Sequence, residues 1–132
     1  MICTYREPSI VTPETGTHIF RIERADLIIE SRSGRPTLEV LARHRSGRLL
    51  GWPSRFWFHL PIAANSGDLF LALVAATRIR RFTTGQYDPT GRPIHEIDTA
   101  DLIGCDFHAT VDSVSLLSGR QGCVVTKIRS AS

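Results

Sequence analysis

Apolar and polar residues alternate with a period of two through most of the chain. From Thr17 to Glu30 the alternation predicts one long strand. Phe20 and Ile22 share one phase; Ala25, Leu27 and Ile29 share the other. A slip of phase inside a strand needs an extra residue, so a bulge or sharp bend is predicted near Glu23–Arg24. The Ser31–Pro36 segment reads as a turn. A second strand follows at Thr37–His44, with Leu38, Val40 and Ala42 on one face. Arg45–Arg48 is a further turn, in which Gly47 supplies positive φ. A third strand is predicted over about Leu49–Leu60. Pro53 cannot donate to a ladder, so this strand is at an edge or interrupted there. Beyond Pro53, Phe56, Phe58 and Leu60 point one way, and Arg55, Trp57 and His59 the other.

The period then changes. Leu69, Leu73 and Ala76 recur at helical spacing, which predicts a helix over about Gly67–Arg80. Ser66 is the expected N-cap, and Asp68 lies in the first turn. Arg78, Arg80 and Arg81 complement the dipole at the other end. Residues 82–97 form a polar loop long enough to be functional, mobile or a small hairpin. Thr99 is the expected cap of a short turn at Ala100–Ile103, closed by Gly104. A fourth strand at Cys105–Val114 places Cys105, Phe107, Ala109 and Val111 inward. After a loop at 116–122, a fifth runs over Cys123–Arg129.

The order is three strands, one helix, two strands. It predicts an all-β domain with one helix, arranged as a five-stranded OB-type Greek-key barrel. An α+β sandwich is the alternative. Residues 1–16 read as an arm, 17–129 as the domain and 130–132 as a tail. At 132 residues, with 42% hydrophobic and 22% charged residues, the chain fits one ordered domain. The longest apolar segment, Leu69–Ala76, is well short of the roughly 18–20 residues that span a bilayer. The first residues carry no basic segment followed by an apolar run, so no signal peptide is visible. A cytoplasmic protein with no membrane partner is expected. The arm, with Tyr5, Ile10 and Val11, and the unpaired strand edges suggest a homo-oligomer.

Enzyme motifs are absent. There is no phosphate-binding glycine loop, no nucleophile elbow and no HExxH. His18, His44, His59, His95 and His108 are scattered, although His59 and His108 are candidates to meet in space. Asp98 and Asp101 are better explained by capping than by catalysis. Cys3, Cys105 and Cys123 form no CxxC pair, and in a simple hairpin Cys105 and Cys123 lie over about 20 Å apart. Free thiols, no metal and no cofactor are expected.

The net charge is +3, and fifteen of the sixteen basic residues are arginine. A genome rich in G and C accounts for that bias as well as function does. Arginine also suits phosphates and stacks on bases. In the OB arrangement a ligand crosses strands two and three and the neighbouring loops. Those places carry Arg32, Arg35, Arg43, Arg45, Arg55, Trp57, His59 and Arg120. Guanidinium groups and one flat ring are what a single strand of nucleic acid requires. Each of these residues also has an ordinary reading as solvated surface, and Trp57 has one under the arm or at a subunit contact. Glu39 shares the outward face and weakens a uniformly basic groove.

The opening strand ending Ala25–Ile29 before Ser33–Pro36, the strand after Gly47 and the helix Leu69–Thr77 carry a resemblance. So does Asp101-Leu-Ile-Gly104 followed by Phe107–Val111. Over about residues 17–129 the chain resembles small OB-like single-stranded-DNA-binding proteins of phage and prophage recombination and replication modules. The resemblance implies a non-catalytic protein that coats single-stranded DNA. The chain departs from it in lacking an acidic tail for recruiting partners. The alternatives are a protein-interaction subunit of a larger assembly, and a nuclease or other enzyme whose carboxylates assemble only in three dimensions.

Overall fold

The structure is a computed structural model that describes residues 1–6, 9–61, 67–115, 117–119 and 121–131. Its centre is a five-stranded antiparallel sheet. The strands are β1 (Gly16–Ile29), β2 (Pro36–His44), β3 (Pro53–His59), β6 (Asp106–Ser115) and β7 (Gln121–Ser130), in the order β3-β2-β1-β6-β7. Helix α1 (Asp68–Thr77) follows β3, and a separate hairpin of β4 (Arg81–Tyr87) and β5 (Pro93–Ile97) follows the helix. No ladder joins β3 to β7 among the described residues.

The phase slip lies where the sequence puts it. β1 pairs with β2 along most of its length, and the register shifts between Ile22 and Arg24. The first half of β1, Gly16–Arg21, also pairs with β6. The bulge lets Phe20 and Ile22 before it, and Ala25 after it, all reach the core. Leu27 and Ile29 share the inward phase of Ala25 but are exposed; the β1–β6 ladder ends at Arg21, so this half of β1 has β2 as its one ladder neighbour among the described residues.

The buried face joins Phe20, Leu38, Val40, Phe56, Phe58 and Phe107. Phe20 lies 4.9 Å from Phe56, edge to face, and 5.6 Å from Phe107, stacked. Leu73 and Ala76 of α1 close this core, with Leu69 and Phe70 half-buried at its border. The helix lies mainly along β7, with smaller contacts to β3 and β6.

Several local features differ from what the sequence predicts. The helix ends at Thr77, not Arg80. Thr77 Oγ1 donates back to Leu73 O at 2.8 Å, and Arg78 turns left-handed at φ 56° with its N–H on Ala75 O. Arg80 and Arg81 therefore belong to the connection and to β4, not to the helix end. The third strand starts at Pro53, because Gly51 at φ 82° and the Trp52 N–H bonded to Leu49 O keep 49–52 in a turn. Trp52 is 40% exposed and does not fill an end of the core. Asp98, not Thr99, caps the 3₁₀ turn Thr99–Leu102, its carboxylate accepting from Ala100 N at 3.0 Å. The expected cap Ser66 lies outside the described residues; Gly67 occupies the N-cap position.

The arm is partly docked. Val11 N donates to Pro53 O at 2.8 Å, and Glu14 Oε1 meets the Arg48 guanidinium at 2.6 Å. All three cysteines are free.

Gly67 is the most constrained glycine. Its φ is 75°, and a Cβ there would lie 2.5 Å from Pro61 N. Gly67→Ala is expected to lower the unfolding free energy by about 1–3 kcal/mol in urea titrations. Gly34→Ala, at φ 68° with nothing within 4 Å, should cost less. Equal losses would mean that the Pro61 contact is unimportant.

Candidate nucleic-acid interface

The outward face of β3 presents Arg55, Trp57 and His59 because Ser54, Phe56 and Phe58 take the inward phase. Trp57 is 56% exposed. It sits opposite Glu39 in the ladder, and its indole N–H donates to Glu39 Oε2 at 3.1 Å. Arg55 Nε lies 3.8 Å from Glu39 Oε1. One carboxylate thus bonds the indole and lies beside the guanidinium. His59 Nδ1 is 3.0 Å from Thr37 Oγ1, and Nε2 is 3.6 Å from Glu30 Oε2.

Arg43 continues the same face one step along β2. It donates to Glu23 Oε1 and to Gly51 O, both at 3.0 Å. Arg45 lies beyond the ladder and is exposed. With Arg21, Glu23, Arg43 and Gly104 it lines an open groove of about 270 Å³ at the β1 bulge. The structure therefore brings Arg43, Arg55, Trp57 and His59 onto one face and sets Arg45 at its end.

The remaining site residues are less well placed. Arg32 is exposed in the β1–β2 turn, where Glu30 N donates to Arg35 O. Arg35 is half-buried, and its Nε is buried without a hydrogen-bond partner among the described residues. Arg120 lies outside the described residues.

The sequence reading missed most of the counterions. Arg21 binds Asp106 through two bonds of 2.8 and 3.1 Å, and Arg24 meets Asp26 at 3.3 Å. The ladder sets Asp26, Glu39 and Trp57 side by side across three strands. That face is mixed in charge, not uniformly basic. The signal was present in the alternation, since Asp26 and Glu39 share the outward phase.

His59 and His108 do not meet: two strands lie between them, and their ladder partners leave them nine positions apart along β1 (Ile28 against Ile19). Among the described residues no group of three His, Cys, Asp or Glu is placed to hold a metal ion. Burial, with Asp106 and Asp101 nearby, pushes the Cys105 thiol up, and burial does the same to Cys123. No described helix is long and apolar enough to cross a membrane.

One Ser–His contact deserves a chemical test. Ser54 Oγ lies 2.9 Å from His44 Nε2, and both residues are buried. The hydroxyl donates to Val11 O at 2.7 Å. Its proton is therefore committed, and His44 Nε2 must carry a proton to donate in turn. His44 Nδ1 has no partner among the described residues. A nucleophile needs a ring nitrogen free to accept its proton; this pair instead buttons the arm to β3.

Neither a protein-family model nor a curated protein matches the chain.

Burial, then the nearby His18, lowers the pKa of His44 below its ordinary value of 6.5. The unfolded chain therefore takes up this proton first as pH falls. Above about pH 7.5 the residue should not affect stability. As pH falls through 6.5 to the lowered folded value, stability should decline by up to about 1.4 kcal/mol per pH unit, then level off. Urea unfolding of the native chain and His44→Gln between pH 5 and 8 measures this. A slope unchanged by the substitution would assign the effect elsewhere.

Proposed function

We propose that the protein is a non-catalytic, sequence-tolerant binder of single-stranded nucleic acid, with DNA the favoured form, and that the β2–β3 face is the contact surface. The observation that carries this reading is Trp57. A large aromatic ring stands exposed on an outward sheet face, fixed by Glu39 and flanked by Arg55 and His59. A held ring offers a base a stacking surface without first having to be ordered. The OB-type barrel proposed for the fold is supported by the bulged first strand and by the helix between the third strand and the next main strand. That arrangement would make β2 and β3 the ligand-crossing strands.

The acid–base pairs on the face do not weigh heavily against this. Exposed ion pairs are worth about 0–1 kcal/mol, so a phosphate can replace Glu39 or Glu23 beside an arginine at small cost. They do favour one alternative, a protein-interaction subunit, whose partner would meet a mixed-charge face. A cytoplasmic setting in replication or recombination follows from the same reading.

Titration with oligo-dT at low salt should change the tryptophan fluorescence and retard the protein in a gel. Trp57→Ala should cost roughly 1–3 kcal/mol of binding. Arg55→Ala should weaken all sequences alike and flatten the salt dependence by about 0.7. If fluorescence and mobility both stay unchanged with the native chain, the protein-interaction reading replaces this one. The arm and the strand edges also lead us to propose self-association. Light scattering at micromolar concentration should then give more than a monomer mass, and a clean monomer refutes it.

A further inference from the structure

Two sets among the fifteen arginines contrast. Arg21, Arg24, Arg43, Arg48 and Arg55 each face a carboxylate. Arg78, Arg80, Arg81 and Arg92 have no ion pair among the described residues, and all four are exposed. They lie on the β4–β5 hairpin and its root. The hairpin pairs Arg81 with Ile97 and Thr83 with His95, and nearly all of its residues are exposed. Ile97 anchors its base against the core.

Between residues 78 and 97 four arginines stand against two carboxylates, Asp88 and Glu96. Asp88 is engaged in the turn. Its Oδ1 accepts from Thr90 N, Thr90 Oγ1 and Arg92 N at 2.7–2.9 Å. The Asp88 carboxylate keeps its charge; the Thr90 hydroxyl bond, with Arg92 nearby, helps hold it below its ordinary pKa. The segment still has four arginines against two carboxylates, while Arg43 and Arg55 on the sheet face each meet a glutamate. The hairpin also carries aromatic surface. The Arg80 guanidinium lies over the Phe82 ring, 4.8 Å from its centroid, and Tyr87 is well exposed. A guanidinium stacked on a ring is held flat, ready for a phosphate at its edge or a base on its open side.

The hairpin is also continuous with the candidate interface. β5 leads through the 3₁₀ turn to Ile103 and Gly104, which line the groove shared with Arg43 and Arg45. Gly104 N bonds to Ile22 O at 2.8 Å, which fixes this junction at the β1 bulge.

We infer that the β4–β5 hairpin is a second contact element for single-stranded nucleic acid, with Arg80, Arg81 and Arg92 meeting phosphates and the Arg80–Phe82 stack and Tyr87 receiving bases. The inference rests on the proposed function, whose surface is the β2–β3 face.

The test is binding of oligo-dT and of a duplex of the same length, from 50 to 300 mM salt. It compares the native chain, the triple variant Arg80→Gln/Arg81→Gln/Arg92→Gln, and Trp57→Ala. A control triple, Arg6→Gln/Lys127→Gln/Arg129→Gln, removes the same charge away from the hairpin. Thermal melts should show all four folded, since the exchanged side chains are exposed. The hairpin triple should lose roughly ten- to a hundredfold in oligo-dT affinity at 100 mM salt and about 2 in salt slope. The control should lose much less. Hairpin and control triples that bind alike overturn the inference while leaving the β2–β3 reading intact. A loss confined to the duplex also overturns it. A hairpin loss with unchanged Trp57→Ala binding supports the hairpin and removes the sheet face. No binding by the native chain overturns both.

Discussion

β1 must serve two ladders, and the bulge between Ile22 and Arg24 is what allows it. Were the same residues to continue in regular alternation with no bulge, Ala25 would turn outward and β1 would present its polar side to the core. With the bulge, one strand feeds Phe20 and Ile22 into the region under β6 and Ala25 into the region under β2. The same bulge accepts the chain entering β6. Ile22 N bonds to Cys105 O at 2.9 Å, and Ile22 O takes the Gly104 N–H. Core geometry and the groove lined by Arg21, Arg43 and Arg45 are thus set at one point.

The inward and outward faces of β3 follow from this. Phe56 and Phe58 are held by the aromatic cluster around Phe20 and Phe107, so Trp57 has no choice of side. What the sheet then does with its outward face is to balance charge locally: Glu39 serves both Trp57 and Arg55, and Glu23 serves Arg43. The separate hairpin and its root carry four further exposed arginines, Arg78, Arg80, Arg81 and Arg92. A surface divided in this way separates orientation from attraction. The sheet holds side chains in place, and the hairpin arginines add positive charge beside it.

Much of this was legible in the alternation of residues. The bulge, the five main strands, the core faces and the outward triplet Arg55, Trp57 and His59 all follow from phase alone, because one face of each strand is buried. Three things were not. The Arg78–Arg81 cluster reads as a helix end, since propensity does not reveal that Thr77 bonds back to Leu73 O and that Arg78 turns left-handed. The 82–97 segment reads as a polar loop because a hairpin exposed on both faces has no apolar alternation to show. The contacts of His44, Ser54 and Val11 join three separate segments, and no local pattern encodes such a meeting. Arg43 and Arg45 are close in sequence, but their groove depends on Gly104, which is about sixty residues away.

The docked arm has a consequence for how copies of this chain can meet. β3 ends the sheet in the described ladders, and an open edge is a template for another strand. Its first acceptor, Pro53 O, is already taken by Val11 of the same chain, and the Ser54 hydroxyl secures Val11 from the other side. A second molecule adding at that end must first lift the arm away. The cheapest way to repair the broken bonds is to supply its own residues 11–14 in exchange. Dimerisation at this edge would then be a trade of identical segments, slow to begin because each partner must open first and self-limiting once both arms are placed.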